Sequence, residues 1–207
     1  MISDQRISEL LDPYGFVPSK SFSDGVRTYI SLLLRWNQRI SLTTVTDPIE
    51  IIKFHFGESL FAISAVPIGD GRLADVGSGT GFPGLPLAIA NANLHVTLIE
   101  SDTKKYTFLS EVVRELNLKN VQVVRERMEE LPSDHSCFDY ITARALGQHE
   151  KLLKWSAGRL SDLGKVVMWL GEADSKRLSK EPGWQWATAL RIPASERRFL
   201  LAGSPSM

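Results

Sequence analysis

The residues best suited to chemistry lie in one run, Asp75-Val76-Gly77-Ser78-Gly79-Thr80-Gly81-Phe82-Pro83-Gly84. Glycines here allow positive φ and let a ligand approach the backbone where a Cβ would collide. The run follows a short apolar strand at 73–76, and a second strand at 95–99 closes on Glu100. Ligands of doubly wound sheets sit at the carboxyl ends of the strands, and a carboxylate about twenty residues past the glycines can accept both ribose hydroxyls of a nucleoside. A tight turn beside a surface glutamate is the bland alternative. Glycines at 77, 79, 81 and 84 are costly at a strand end without a ligand, so a nucleoside-bearing ligand is expected.

Residues 79–84 match G-x-G-x-x-G literally, but two features argue against a dinucleotide. Asp75 precedes the first glycine by two, where an apolar residue is more usual, and Pro83 supplies no N–H to a pyrophosphate. The acid-x-Gly-x-Gly-x-Gly order resembles motif I of the class I S-adenosylmethionine methyltransferases. A ligand with a sulfonium and an ammonium and no phosphate favours carboxylates and carbonyls over a phosphate cradle. Past a third strand at 121–124 stands Arg125-Glu126-Arg127-Met128-Glu129-Glu130. In such a fold Met128 can cover an adenine face, and Glu129 is the candidate for its amino edge. Two of the three glutamates 126, 129 and 130 read as a solvated face.

The elements that must position these residues are legible as alternating strands and helices. A helix is expected over 103–116 after Asp102, a fourth strand at 138–143, a helix at 149–160 and a fifth strand at 165–170. Runs at 185–192 and 197–202 read as an antiparallel, hairpin-like end with no good helix between. The first seventy residues read as helices instead. Apolar spacing predicts one over 24–40, capped by Ser23 or Asp24, and another from Asp47-Pro48 towards Val66. Pro67-Ile68-Gly69-Asp70-Gly71 breaks the pattern. The expected fold is α/β: a Rossmann-like class I methyltransferase fold, mostly parallel with an antiparallel last strand, at 69–207, behind an N-terminal helical cap at 1–68.

Several short motifs are similar to those of the bacterial small-subunit ribosomal RNA guanine-N7 methyltransferases, over most of the chain. Trp36-Asn37 followed by Leu42-Thr43 resembles the family's Trp-Asn…Asn-Leu-Thr signature, His55-Phe56-Gly57-Glu58-Ser59-Leu60 its His-x-x-Asp-Ser-Leu, and Gly81-Phe82-Pro83-Gly84 the end of its glycine loop. Thr142-Ala143-Arg144-Ala145 resembles its Ser-Arg-Ala segment. The resemblance implies S-adenosyl-L-methionine as cofactor and N7 of a guanine in 16S rRNA as acceptor, guanine 527 in standard bacterial rRNA numbering, on the small ribosomal subunit. It implies that Gly77, Ser78, Gly79 and Phe82 contact the methyl donor, Met128 and Glu129 the adenine, and that Glu100 and Arg144 belong to the binding site. Arg144 would stand at the reaction mouth and position substrate. Three positions depart from the pattern: Ser41 for Asn, Glu58 for Asp, and Leu170 where the family tends to lysine, which removes a cation from the expected RNA side.

Guanine N7 carries a free lone pair at neutral pH, so such a reaction needs no general base, and the chain offers no evident Ser/His/Asp or Cys/His set. His55 reads as a bond between cap and main domain, with an RNA contact as the alternative. Arg35, Arg39, Lys53, Lys104, Lys105, Arg197 and Arg198 are the local basic candidates for RNA. They matter because 24 basic and 24 acidic side chains cancel over the 207 residues, leaving no global field to attract nucleic acid. No apolar run approaches the ~18–20 residues of a membrane span, no signal peptide is visible, and the single cysteine, Cys137, excludes an internal disulfide. A cytoplasmic monomer without metal is expected. The competing readings are a methyltransferase with another acceptor, a non-catalytic cofactor-binding ribosome-assembly factor, and a nicotinamide-dependent oxidoreductase.

Overall fold

The computed structural model describes residues 2–132 and 137–206. Two helices open the chain: α1 (Asp4–Leu11) and α2 (Lys20–Asn37). The second starts earlier than its apolar spacing suggests, because Ser19 accepts the Phe22 N–H and serves as the cap, while Ser23 is buried. It also stops earlier. The Asn37 side chain folds back on the following loop, accepting the N–H of Leu42 and Thr43 and donating to the Thr43 carbonyl. Val26, Tyr29 and Leu33 of α2 are fully buried, each contributing about 1.5–3 kcal/mol of burial.

The helix expected after Asp47 is present in three continuous parts. A first turn, α3 (Pro48–Glu50), is capped by the Asp47 carboxylate, a π-helical stretch spans Ile51–Gly57, and α4 (Glu58–Ala65) completes it. A π-helical stretch is uncommon and frequent at functional sites.

From Gly71 the chain builds an eight-stranded sheet. Its elements are β1 (Gly71–Val76), α5 (Gly84–Ala90), β2 (Leu94–Ile99), α6 (Thr103–Glu115), β3 (Val121–Val124), β4 (Phe138–Arg144), α7 (His149–Ala157), β5 (Leu160–Gly171), α8 (Glu172–Leu178), β6 (Trp184–Trp186), β7 (Leu190–Arg191) and β8 (Arg198–Pro205). The strand order is β3-β2-β1-β4-β5-β8-β6, with β7 also on β8. Strands β1 to β5 pair in parallel, whereas β8 runs antiparallel to β5 and β6 and β7 antiparallel to β8. The antiparallel end is as expected, but the run at 185–192 splits into two short strands. Helix α8 was not anticipated: its seven residues, Glu-Ala-Asp-Ser-Lys-Arg-Leu, are too few and too polar to give a period.

Alternation along the strands divides the interior in two. Leu73, Val167, Trp169 and Leu200 join the cluster that holds α1, α2, α4, α5 and α6, while Ala74, Val166, Met168, Leu170 and Leu201 join α7 and α8 on the other face. The cap helices therefore share one continuous core with a face of the sheet. Position 170 belongs to the opposite core, only 5% exposed, so the side chain there packs inward and its identity takes nothing from an RNA-facing surface.

Candidate functional site

Two buried carboxylates shape the loop after β1. Asp75, at the strand end, accepts the Gly84 N–H at 3.2 Å and the Thr142 hydroxyl at 2.8 Å. Burial pushes its carboxyl up to about 6, against the pull of those donors. Glu100 accepts the N–H of Gly79 and of Asp102, each at 2.8 Å, one on each oxygen, which leaves lone pairs for further donors. Two of the glycines leave a Cβ no room, since one on Gly81 would stand 2.3 Å from Leu85 and one on Gly84 2.4 Å from Leu98, while Gly77 and Gly79 are held at φ +67° and +59°. Ser78 turns its hydroxyl to the Asp75 carbonyl at 2.8 Å, so its side chain braces the loop from within.

Beside this loop lies a cavity of about 310 Å³. Gly77, Glu100, Met128 and Glu129 all line it, as does Glu126. Val76, Ile99 and Met128 supply apolar surface, and the carboxylates supply acceptors. Oε2 of Glu126 is buried and has no hydrogen-bond partner, an acceptor held ready for a donor. That residue had read as part of a solvated face, and only the direction of its side chain after β3 reveals it. Glu129 is exposed at the rim, and Glu130 accepts the Arg127 N–H outside the cavity. Ser78, Gly79, Phe82 and Arg144 are not among the lining residues.

Phe82 and Arg144 lie instead towards the cap. Arg144 ends β4, with its side chain 13% exposed, and donates to the Phe54 carbonyl at 2.9 Å. It lies 3.4 Å from Nδ1 of His55 and 3.1 Å from the carboxylate of Glu58. Nε2 of His55 is 3.2 Å from the Thr43 hydroxyl, and the imidazole stacks on Phe82 with centroids 4.7 Å apart. Burial, then the Arg144 and Arg198 charges, push His55 down to about 4, so the ring is neutral at pH 7. A neutral ring fits both contacts, with Nδ1 accepting from Arg144 and Nε2–H donating to Thr43. His55 thus joins the cap to the main domain, one of its two anticipated roles. Tyr29 of α2 makes a second tie, donating its hydroxyl to the Thr80 carbonyl of the glycine loop.

Two of the other basic candidates are paired with carboxylates. Arg35 pairs with Glu111, which also accepts from Trp36, and Lys53 lies 3.7 Å from Glu50. In the sequence Glu58 stands out only as a departure from a motif. Its 1% exposed carboxylate in fact holds both Arg144 and Arg198.

Three carboxylates, Glu100, Glu126 and Glu129, line the cavity against two cations, Arg127 and Lys151, a balance that suits a nucleoside with amine groups better than a phosphate ligand. The comparisons with known proteins agree. A family described as rRNA small subunit methyltransferase G matches residues 23–190. A ribosomal RNA small subunit methyltransferase G of Xylella fastidiosa (strain 9a5c) is 48% identical over 154 residues, covering 74% of this chain and 71% of the relative. One from Stenotrophomonas maltophilia (strain K279a) is 37% identical over 182 residues, covering 86% and 84%. In fold, the chain is similar to a SAM dependent methyltransferase from Aquifex aeolicus, with a TM-score of 0.62 at 16% identity over 76% of this chain and 93% of that one. A glycine loop, an acid-lined cavity beside it and this sequence similarity together place the chain in the ribosomal RNA small subunit methyltransferase G family, whose members use S-adenosylmethionine to methylate small-subunit rRNA.

Proposed function

We propose that this chain methylates N7 of one guanine of 16S rRNA, guanine 527 in standard numbering, on the small ribosomal subunit, acting in the cytoplasm as a monomer. The observation that carries the reading is the division of the loop's surroundings into an acceptor-rich cavity and an arginine-lined mouth. Glu100 would take the ribose hydroxyls on its free lone pairs, Met128 would cover the adenine, and Glu126 or Glu129 would accept from its amino group. Gly77, Ser78 and Gly79 would present backbone to the methionine part, with Phe82 closing the loop against His55. S-adenosylmethionine supplies an electrophilic methyl group on a sulfonium.

The chain's own contribution is alignment. Guanine N7 would attack through its own lone pair and release no proton, so neutral His55 would not be needed as a base. Holding the reactants in line can supply on the order of 7–11 kcal/mol. Arg144 would grip the base edge or a phosphate through its planar fork. The cap at 1–68 and the domain at 69–207 would present one joint surface to the RNA, with the base unstacked from its neighbours. No helix of the described residues is long and apolar enough to cross a membrane.

The test is transfer of labelled methyl to small subunits from cells lacking the protein, mapped by cleavage at N7-methylated guanine. Label at one guanine with wild type, reduced at least about a hundredfold in Arg144→Ala, is the expected result. Cofactor binding without any label would leave a different acceptor or a non-catalytic binder.

A further inference from the structure

The cluster around Glu58 does not balance its charge. Arg198 donates through Nη1 to both carboxylate oxygens, at 2.8 and 2.7 Å, and Arg144 reaches the same carboxylate at 3.1 Å. Two guanidiniums thus face one carboxylate that is 1% exposed. Arg144 spends Nη2 on the Phe54 carbonyl and His55, yet its Nη1 is buried and has no hydrogen-bond partner. A purely structural ion pair gains little by being overloaded with one sign, since each buried charge costs several kcal/mol to desolvate. One unit of positive charge and one buried donor are left over.

The surplus adjoins an open space. A cavity of about 320 Å³ is lined by Phe54, Glu58, Glu196, Arg197 and Arg198, and the Arg198 side chain is 49% exposed towards solvent. The loop that frames it, residues 194–197, is preset by the protein. Arg191 donates to the carbonyls of Ser195 and Glu196 at 3.0 and 3.2 Å, and the Arg198 N–H donates to the Ser195 hydroxyl at 3.2 Å. The lining carries two carboxylates, Glu58 and Glu196, and two guanidiniums, Arg197 and Arg198, and the buried Arg144 on Glu58 makes the sum over cluster and cavity positive. Glu58 also fixes the depth of the site, because its own backbone carbonyl accepts from the Trp169 indole at 2.7 Å.

We infer that the Glu58–Arg144–Arg198 cluster and the cavity beside it form an anion subsite that takes a backbone phosphate of the RNA substrate, with Glu58 as the positioning residue and Arg198 as the outer ligand. A planar guanidinium held on one edge by a carboxylate still offers N–H groups on its other edge, the geometry that suits a phosphate oxygen pair. Glu58 keeps two mutually repelling cations together until the phosphate arrives. The inference rests on the RNA-methyltransferase reading above, since free anions in solution would not require the cavity to adjoin the reaction mouth.

Binding of small ribosomal subunits across a salt series tests it without relying on methyl transfer. Arg198→Gln should weaken binding about tenfold at low salt and reduce the slope of log K against log salt by about one. Cofactor affinity, read by calorimetry, should change less than about twofold, which a merely structural role would not guarantee. Arg198→Lys should restore the slope but only part of the affinity, because it keeps the charge and loses the fork. Lys176→Gln, an exposed change on α8, is the control for loss of any surface charge. An Arg198→Gln slope equal to wild type overturns the subsite, as does a Lys176→Gln slope that falls as far. If Arg198→Gln fails to bind cofactor, Arg198→Lys decides: a slope below wild type in that folded variant overturns the proposal. Wild type that binds subunits with the expected slope but transfers no methyl overturns the enzymatic reading and leaves the subsite standing.

Discussion

The two sides of the glycine loop hold their charges by different means. On the side of the acid-lined cavity, the proposed cofactor side, two carboxylates are fixed largely by backbone N–H groups: Glu100 by Gly79 and Asp102, Asp75 by Gly84 together with the Thr142 hydroxyl. Towards the cap they are positive and fixed by side chains, with Arg144 and Arg198 both anchored on Glu58. Backbone donors cannot be removed by a side-chain substitution, so the cofactor side should lose its function in increments. The mouth depends on a single carboxylate and should fail as a unit.

Glu58→Ala is the severest way to break that contrast. It leaves the buried Arg144 without its counter-charge, and loss of one partner of a buried pair costs about 3–5 kcal/mol. Urea unfolding should show a loss in that range. A cost below about 1 kcal/mol would mean that the two cations relax into solvent and that the mouth is no unit. Glu100→Ala should leave stability much closer to wild type but weaken S-adenosylmethionine binding about a hundredfold, through lost charged acceptors for the ribose. Calorimetry reads this directly, and an unchanged affinity would remove Glu100 from the site.

The smallest effect sharpens the comparison through pH. Asp75, raised to about 6 by burial, favours folding below its unfolded value near 3.8, and that contribution is lost as pH rises through 6. His55, lowered to about 4, contributes stability above its unfolded value of 6.5 that is lost as pH falls towards 4. The two sides therefore oppose each other between about pH 4 and 6.5. Asp75→Asn should leave the His55 slope alone, so that its thermal stability falls more steeply than wild type on acidification from pH 6.5 to 4.5. Parallel curves would contradict this.

What could be read from the sequence follows from distance along the chain. The glycine run, Glu100 and the parallel strands are local or nearly local, set by residues within about twenty positions of one another. The shared face of cap and sheet follows from apolar periods, although the cap of α2 lay at Ser19, before the period begins. Helix α8 escaped because a seven-residue polar segment carries no period. Glu126 escaped because the chain leaves β3 in an irregular turn, where alternation no longer fixes which way a side chain points. Glu58 and Arg198 are 140 residues apart, and no spacing rule connects the start of α4 with the last strand. Leu170 shows the converse: a motif comparison placed it on a surface, and simple strand alternation places it in a core.

The hydroxyl of Tyr29 on the Thr80 carbonyl makes the glycine loop part of the cap's docking surface as well as part of the sheet. The loop's finished shape therefore includes a contact that only the docked second helix supplies. A ligand that binds the finished loop then stabilises those chains alone, by an amount that grows with the logarithm of its concentration. Occupation of the loop and docking of the cap are thus linked: whatever stabilises one stabilises the other.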